Sequence, residues 1–493
     1  MATTSSASSA SSAVASTVGA GGAGGGAMAS SASAGGAGGA GGAGGAAVSA
    51  SSSSASSAVA STVGAGGAGG GSCGGASGLI GAGDLLWSQA ISYPPSPGFP
   101  PAHCWPTAIS ARTSHPGGVL MRVDFPKNSC LVLGGLSAYF TNLLARFDDA
   151  GQLANSVSIY DFQLPPTTTG HMLAGGADVD GLGGIPYGES TTGIHPSYSV
   201  NFNGAFGFNY NQTLPPDPKN NVYVGIDAVA GGPSGDSAAA VWTGSGPADF
   251  GGGPMGGGLL RLAANKSYQW MTFVPGVESL KIDDVGNTLV SGEIAIANSA
   301  VCGALPAGHF LLVLDPGGSC VYQRSLPQSF QVTVDGAGDA IVAMTFSGTI
   351  DLGGGPLTAV GTHDLAIAKY SPAGVHLWSE RFGGPGFDPS AISISISANA
   401  AGEVALQGSF TGAVDFGAGL VDSAVPCGPD TFFVKLTSPG SVAWARYLHS
   451  PGPIAGAIDP EGAVLLVAPS ATVDLGSGPV LSTYGMAVAK LAP

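Results

Sequence analysis

The amino-terminal part of this chain lacks charged residues altogether. Residues 1–78 contain no Asp, Glu, Lys or Arg and consist almost entirely of Ser, Ala and Gly. Such a segment cannot bury enough apolar surface to offset the chain entropy lost on folding. The stretch 8–26 recurs unchanged at 53–71. We therefore predict a disordered low-complexity tail over residues 1–78, which is either a flexible tether or neutral sequence.

Charge is scarce in the remainder too, and its sign is unbalanced. Only 9% of all residues are charged, and 14 Lys and Arg face 30 Asp and Glu, for a net charge of −16. An acidic surface repels phosphate backbones, so nucleic acid is a poor partner. The excess of acid is interpreted as an aid to solubility, with cation binding as the alternative.

Long apolar runs and helix formers are also missing. No run of about 20 apolar residues exists, so no transmembrane helix is predicted. Glu, Lys and Arg are rare, whereas Val, Thr, Ser, Gly and Pro abound, and 84 residues are Gly. This balance predicts an all-β protein with many tight turns. The hydrophobic share of 44% is ample for a large core.

The sequence carries no signal peptide as given, since the first basic residue is Arg112 and no apolar segment follows a positive start. The protein is then either cytoplasmic, or its true start lies upstream of Met1. The composition favours the second explanation, and we expect an extracellular or cell-surface protein that is a monomer.

Cysteine spacing excludes some metal and redox sites and leaves disulfides open. The six cysteines include no C-x-x-C pair, which argues against zinc ribbons and thioredoxin-like motifs. Cys302 and Cys320 flank one predicted strand, and Cys104 and Cys130 flank a predicted hairpin region. Each pair is either a disulfide, which indicates an oxidising compartment, or two free buried thiols.

Local catalytic motifs are absent as well. The chain has no H-E-x-x-H, no G-x-S-x-G and no glycine-rich loop ending in G-K-[ST]. No catalytic or cofactor-binding residue is therefore predicted.

What the sequence does have is an internal repeat. Over residues 351–412, apolar and polar residues alternate at 364–370, 375–382, 393–399 and 403–410, and Gly- or Pro-containing turns separate these segments. Period-two alternation bounded by such turns is typical of hairpins. The segment predicts a four-stranded unit.

Three features of this unit recur along the chain. The second strand is indicated at 86–88, 154–159, 206–212, 268–270, 321–323, 377–379 and 443–445. The turn before the fourth strand is indicated at 116–118, 169–170, 219–221, 286–287, 338–339, 402–403 and 461–462. An Asp followed by glycines stands at Asp180, Asp249, Asp351, Asp415 and Asp474. These glycines are predicted to carry the chain from the outer edge of one unit to the inner strand of the next.

The two ends of the repeated region complement each other. The chain closes with Tyr-Gly-Met-Ala-Val-Ala-Lys-Leu, a first strand without its second, and opens after Leu79 with a second strand without its first. One unit shared by both ends would remove open sheet edges. The fold class predicted for residues 79–493 is an all-β β-propeller of four-stranded blades, seven in number with six as the alternative.

A family resemblance rests on these same residues. The pattern A-K-Y-x-P-x-G-x-x-L-W-S beginning at Ala368, followed by a Gly-containing strand and D-F-G-G-G-type clusters, resembles the SBBP-type β-propeller repeat proteins of bacteria, notably myxobacterial ones. The likeness is strongest over residues 247–493 and slight over 91–230. It implies a propeller outside the cell and supplies no catalytic residue.

Two sets of repeated residues are candidates for binding. Calcium candidates are Asp178, Asp180, Asp249, Asp351, Asp415 and Asp474. Each lacks the several spaced oxygen ligands that calcium needs, so the favoured interpretation is a cap that hydrogen bonds to the turn backbone. Trp87, Trp270, Trp378 and Trp444 share one repeat position, which favours packing between blades over an aromatic ligand platform.

We accordingly expect a non-enzymatic extracellular binding or scaffold module for an unidentified protein or glycan. The alternative is an enzyme, a hydrolase or lyase acting on glycans, whose residues come from different blades and meet in the central channel.

Overall fold

The structure is a computed structural model. It describes residues 78–80, 85–92, 108–113, 119–133, 136–147 and 153–160, and then 224–493 with gaps at 244–245, 266, 390–393, 418, 423–429, 450–453, 470–471, 475–478 and 482–484. The chain divides into two units, residues 1–70 and 71–493, and every described residue belongs to the second.

Every regular element among the described residues is a β-strand. The first two are β1 (Gly78–Ile80) and β2 (Leu85–Ser92). Sheet I contains β3 (Ala108–Thr113), β4 (Val119–Leu133), β5 (Leu136–Phe147) and β6 (Leu153–Tyr160). Sheet II contains β7 (Val224–Gly231), β8 (Ser237–Thr243), β11 (Gly257–Leu262) and β12 (Tyr268–Thr272), with the hairpin β9 (Ala248–Asp249) and β10 (Pro254–Met255) between β8 and β11.

The next two sheets repeat this plan. Sheet III contains β13 (Val277–Ile282), β14 (Thr288–Ile294), β17 (Gly308–Leu314) and β18 (Cys320–Leu326), with the hairpin β15 (Asn298–Ala300) and β16 (Gly303–Leu305). Sheet IV contains β19 (Phe330–Val334), β20 (Ala340–Phe346), β23 (Asp364–Tyr370) and β24 (His376–Phe382), with the hairpin β21 (Thr349–Asp351) and β22 (Pro356–Thr358).

The last two sheets recruit strands from near the start of the described chain. Sheet V contains β25 (Asp388–Pro389), β26 (Ser395–Ala398), β27 (Val404–Thr411), β30 (Asp430–Leu436) and β31 (Val442–His449), joined by β1, with the hairpin β28 (Ala413–Asp415) and β29 (Leu420–Asp422). Sheet VI contains β32 (Ala455–Ile458), β33 (Val464–Pro469), β36 (Gly485–Leu491) and β2, with the hairpin β34 (Thr472–Asp474) and β35 (Pro479–Leu481).

Sheet VI confirms the prediction that strands from the two ends of the repeated region share one sheet. β2 pairs antiparallel with β36, so that Trp87 lies opposite Lys490 and Ser92 lies opposite Gly485. The pairing gives β36 an outer neighbour.

Burial along the strands explains the sequence patterns. In sheet III the third strand, β17, is buried over five successive apolar residues, because neighbouring sheets cover both of its faces. The fourth strand, β18, is less buried, with three exposed, three half-buried and one buried residue. The hydrophobic clusters lie between sheets: one joins residues of sheets III and IV, and another joins residues of sheets IV and V.

The first strands of the sheets contact one another in sequence. β7 contacts β13, β13 contacts β19, β19 contacts β26, β26 contacts β32, and β32 contacts β3. Five four-stranded sheets and the six-stranded sheet V are therefore described, and these contacts join sheets II to VI in chain order and sheet VI to sheet I.

The structure corrects one detail of the repeat. The Asp-glycine clusters do not link sheets, because the hairpins that contain them lie between the second and third strands of one sheet. The turn between the first and second strands of sheet II lies at 232–236, where Gly232 accepts a hydrogen bond from the Gly235 N–H. The features predicted at 116–118, 169–170, 206–212 and 219–221 lie outside the described residues.

Candidate binding cleft

Three of the repeated aspartates cap their own turns. The Oδ1 atom of Asp249 accepts the N–H groups of Gly251 and Gly253 at 2.8 and 2.9 Å. Asp351 caps Gly353 and Gly355 at 2.7 and 3.1 Å, and Asp415 caps Gly417 and Gly419 at 2.7 and 3.0 Å. One carboxylate oxygen thus satisfies two backbone donors that the tight turn would otherwise leave unpaired.

The other calcium candidates cannot be placed in the same way. Asp178 and Asp180 lie outside the described residues, as does the side chain of Asp474, which ends β34. Within the described part of the chain, no group of three or more His, Cys, Asp or Glu side chains has the arrangement of a metal site.

The hairpins fold back onto the fourth strand of their own sheet. A Cβ atom added at Gly252 would overlap the ring of Tyr268, the first residue of β12. A Cβ atom added at Gly354 would likewise overlap the ring of His376, the first residue of β24. Glycine at positions 252 and 354 is therefore required by this close approach.

In sheet III a disulfide occupies the equivalent contact. Cys302, in the hairpin β15–β16, is bonded to Cys320, the first residue of β18. This hairpin lacks the capping Asp, and the covalent bond holds it against the outer strand instead. Of the second predicted pair, Cys104 and the side chain of Cys130 lie outside the described residues.

The repeated tryptophans pack between sheets. Trp270 Nε1 in sheet II donates to the Pro316 carbonyl of sheet III at 2.8 Å, and Trp378 Nε1 in sheet IV donates to the Ser438 carbonyl of sheet V at 3.1 Å. Trp444 is buried with 1% of its surface exposed. The side chain of Trp87 lies outside the described residues. Three of the four positions therefore serve inter-sheet packing.

Buried ion pairs form a further repeated feature, which the repeat analysis missed. Lys369 Nζ lies 2.6 Å from Asp335 and 3.0 Å from Asp339. Equivalent pairs join Lys435 to Glu403 at 3.0 Å, Lys490 to Asp459 at 2.8 Å, and Arg261 to Asp236. In each case a cation one residue before the end of the third strand meets the turn between the first and second strands.

Lys369 illustrates the electrostatics of these pairs. Its burial alone would lower the pKa of the ammonium group, but the hydrogen bonds from Nζ to Asp335 and Asp339 outweigh that and raise the pKa. The recurring Lys in A-K-Y, V-K-L and A-K-L was visible in the sequence, but its acidic partners lie about 30 residues away and only the fold brings them together.

An open cleft of about 490 Å³ lies between sheets IV and V. Its lining comes from the end of β24, the hairpin β28–β29 and the start of β31, namely residues 380–383, 415–417 and 440–444. The Asp415 N–H approaches the Gly383 carbonyl at 3.4 Å, so the hairpin of sheet V reaches sheet IV. Phe416, next to Asp415, packs its ring 5.3 Å from that of Phe382 and closes the floor of the cleft.

Three charged side chains surround this cleft. Glu380 is exposed, and Arg381 is held by the fully buried Asp364. The Oδ1 atom of Asp415 accepts the hydrogen bonds of its own turn. Burial, and to a smaller degree the negative charge of Asp415, raises the pKa of Tyr447. With Arg381 neutralised, the cleft is net negative.

Comparison with known proteins gives no family. No protein-family model and no curated protein sequence matches this chain. Similar solved structures include a protein of unknown function from Dyadobacter fermentans, which is 11% identical over 83% of this chain and 99% of its own, with a TM-score of 0.36. A DUF4221 family member from Bacteroides vulgatus is 8% identical over 84% and 98%, with a TM-score of 0.33.

A third similar structure is BBS1N, solved in complex with ARL6DN, which is 11% identical over 84% of this chain and 97% of that one, with a TM-score of 0.36. At such TM-scores these neighbours assign no activity. Among the described residues, no helix has the length and apolarity needed to cross a bilayer.

Proposed function

We propose that residues 79–493 form a β-propeller. Support comes from six antiparallel sheets, five of four strands and one of six, from the contacts that join sheets II to VI in succession and sheet VI to sheet I, and from the pairing of β2 with β36. A seventh blade, the number expected from the repeats, would have to come from residues 161–223, which lie outside the described residues. The SBBP-type resemblance is consistent with this proposal.

The proposed function is a non-enzymatic binding or scaffold module at the cell surface. The observation that carries it is the open, rigidly walled cleft between sheets IV and V. Its walls are fixed by a turn cap, an ion pair and ring packing, an arrangement suited to binding without any change of conformation. The disulfide between Cys302 and Cys320 supports an oxidising location outside the cytoplasm.

Capture from cell-envelope fractions tests this proposal. The immobilised full chain is expected to retain a protein or glycan, which is then eluted and identified by mass spectrometry. A Glu380→Ala variant, which alters a residue that lines the cleft, and a denatured sample serve as controls. Recovery of nothing above the denatured sample would contradict a binding role.

The enzyme alternative has its own test. A panel of polysaccharides and glycans incubated with the full chain should show no new reducing ends or unsaturated products if the module only binds. Turnover would favour the hydrolase or lyase and would direct attention to the proposed central channel.

Calcium is proposed to have no structural role at the three described Asp turns. One oxygen of each carboxylate already accepts two N–H groups, and the turn glycines add no side-chain ligand. We expect thermal unfolding of the full chain to be the same with calcium and with a chelator. A large calcium-dependent rise would indicate ion sites, since a ligand of the folded state stabilises it by mass action.

A further inference from the structure

The clefts between neighbouring sheets can be compared position by position. In the fourth strands of sheets III, IV and V, an aromatic residue faces the next sheet, and the residue two positions later faces the same side. That second residue is Arg324 after Tyr322 in sheet III, Glu380 after Trp378 in sheet IV, and Arg446 after Trp444 in sheet V. An arginine thus stands at two of these three positions, and a glutamate at the third.

The arginine of sheet III fills the cleft in front of it. The Arg324 guanidinium lies 4.2 Å from the centre of the Tyr370 ring in sheet IV, and its Nη2 donates to the Gly374 carbonyl at 2.8 Å. It also lies beside Gly353 of the Asp-glycine hairpin. A ring face, a turn carbonyl and the end of a capped hairpin together form a guanidinium site.

The cleft between sheets IV and V keeps two parts of this frame, the turn carbonyl and the capped hairpin, and lacks the ring and the arginine. Gly440 stands where Gly374 does, at the fourth position of the turn before the outer strand, and the Asp415 hairpin replaces the Asp351 hairpin. Leu436 takes the position of Tyr370, and the smaller side chain together with the change from Arg to Glu leaves the space open.

The charges of this open cleft suit a cation. Glu380 is exposed and makes no ion pair with any described residue, and Asp415 adds a second carboxylate at the opposite wall. Arg381 does not compensate them, because Asp364 already pairs with it. The net charge of −16 further favours the approach of cationic ligands.

We propose that the cleft between sheets IV and V binds a guanidinium group, presented as an arginine side chain by a partner polypeptide. The guanidinium would occupy the position that Arg324 occupies between sheets III and IV, with Glu380 and the Gly440 carbonyl as acceptors. This assignment rests on the proposed binding role and names the chemistry of the group that is recognised.

Calorimetric titration of the full chain with N-acetylarginine amide tests the proposal. N-acetylcitrulline amide has the same shape without the charge and is expected to bind about tenfold or more weakly, because charge-assisted hydrogen bonds are the stronger ones. Equal affinity for the two probes, or no binding of the arginine probe, would overturn the assignment.

Two variants localise the binding. Glu380→Arg supplies the cleft with its own guanidinium, so it should abolish probe binding and raise the unfolding temperature. Glu380→Gln removes the charge without filling the cleft, so it should only weaken probe binding. Glu461→Arg makes the same charge change on an exposed turn of sheet VI and should leave affinity within about twofold. Wild-type affinity in Glu380→Arg would refute the site.

The outcome also separates the cleft from the wider function. If the probe fails to bind while an envelope ligand is still captured, the guanidinium site is wrong and the binding role stands. If the envelope ligand is captured by the wild type and lost in Glu380→Arg but not in Glu461→Arg, both are supported. Failure of probe and capture alike contradicts both.

Discussion

Removal of the Lys369 ammonium group is expected to be among the most destabilising single changes in this protein. Lys369 and Asp335 are each 4% exposed, and Nζ contacts both Asp335 and Asp339. In Lys369→Val, two carboxylates would remain at the buried turn without a counter-charge. Breaking a buried pair in this way typically costs about 3–5 kcal/mol of the free energy of unfolding.

Sheet III builds the same turn without a cation on its own third strand, and Arg261 of sheet II instead donates to the Gly286 carbonyl of that turn at 3.1 Å. Val313 stands at the position of Lys369, and the Asn287 amide donates to Asp283 Oδ2 at 2.7 Å. The double variant Lys369→Val, Asp339→Asn copies this arrangement into sheet IV. The Asp335 carboxylate would then keep its hydrogen bonds from the N–H groups of residues 337 and 339 and gain one from the new amide, so the double variant should recover about 1–2 kcal/mol of the loss.

Urea unfolding of the full chain, followed by tryptophan fluorescence and circular dichroism, measures these differences from the transition midpoints. Asp339→Asn alone is the matched control, since Lys369 then keeps Asp335 and the cost should be about 1 kcal/mol. A Lys369→Val cost below about 1 kcal/mol, or a double variant no more stable than the single one, would refute the reasoning.

Three further predictions concern packing, the disulfide and high pH. In Gly440→Ala the new Cβ would lie 2.9 Å from the Trp378 ring at a φ of +93°, whereas in Gly417→Ala it would have no atom within 4 Å at a similar φ of +97°. In urea unfolding Gly440→Ala should therefore cost about 1–2 kcal/mol more than Gly417→Ala, and equal costs would refute the packing role. Reduction of the Cys302–Cys320 bond, which spans a sequence separation of 18, should lower the free energy of unfolding by about 3 kcal/mol, and a Cys302→Ser variant insensitive to reductant is the control. Burial raises the pKa of Tyr370 to about 12, whereas the pKa of Tyr in the unfolded chain is about 10. The stabilisation by the neutral phenol is therefore fully present below a pH of about 10 and is lost as the pH rises towards 12. In Tyr370→Phe the free energy of unfolding should fall less steeply over this range, and an unchanged slope would contradict the reasoning.

The outer strands and the turns next to them were predictable because their signals are local. A strand with an aromatic residue after a turn that contains Pro and Gly recurs at β18, β24 and β31, and each segment carries its own pattern. The shared sheet at the ends was predictable for the same reason, since β36 resembles a third strand and β2 resembles its missing partner.

The roles of the Asp-glycine clusters were predicted only in part. The turn caps of Asp249, Asp351 and Asp415 follow from the preference of Asp for backbone donors two and four residues on. That the hairpins lie within a sheet, against its own outer strand, was not predicted, because a glycine cluster marks a close approach without saying what approaches it.

The contacts between sheets depended on the tertiary structure alone. The residue two positions after the aromatic residue of the outer strand either fills a cleft, as Arg324 does, or lines an open one, as Glu380 does. Which of the two occurs depends on side chains of the next sheet. The buried position of Lys369 depends likewise on a turn far away in the chain. The sequence by itself determined the strand pattern and the repeat, since these rest on near neighbours, whereas packing decided which charges are structural and where a cavity remains, since neighbours in space are set only by the fold.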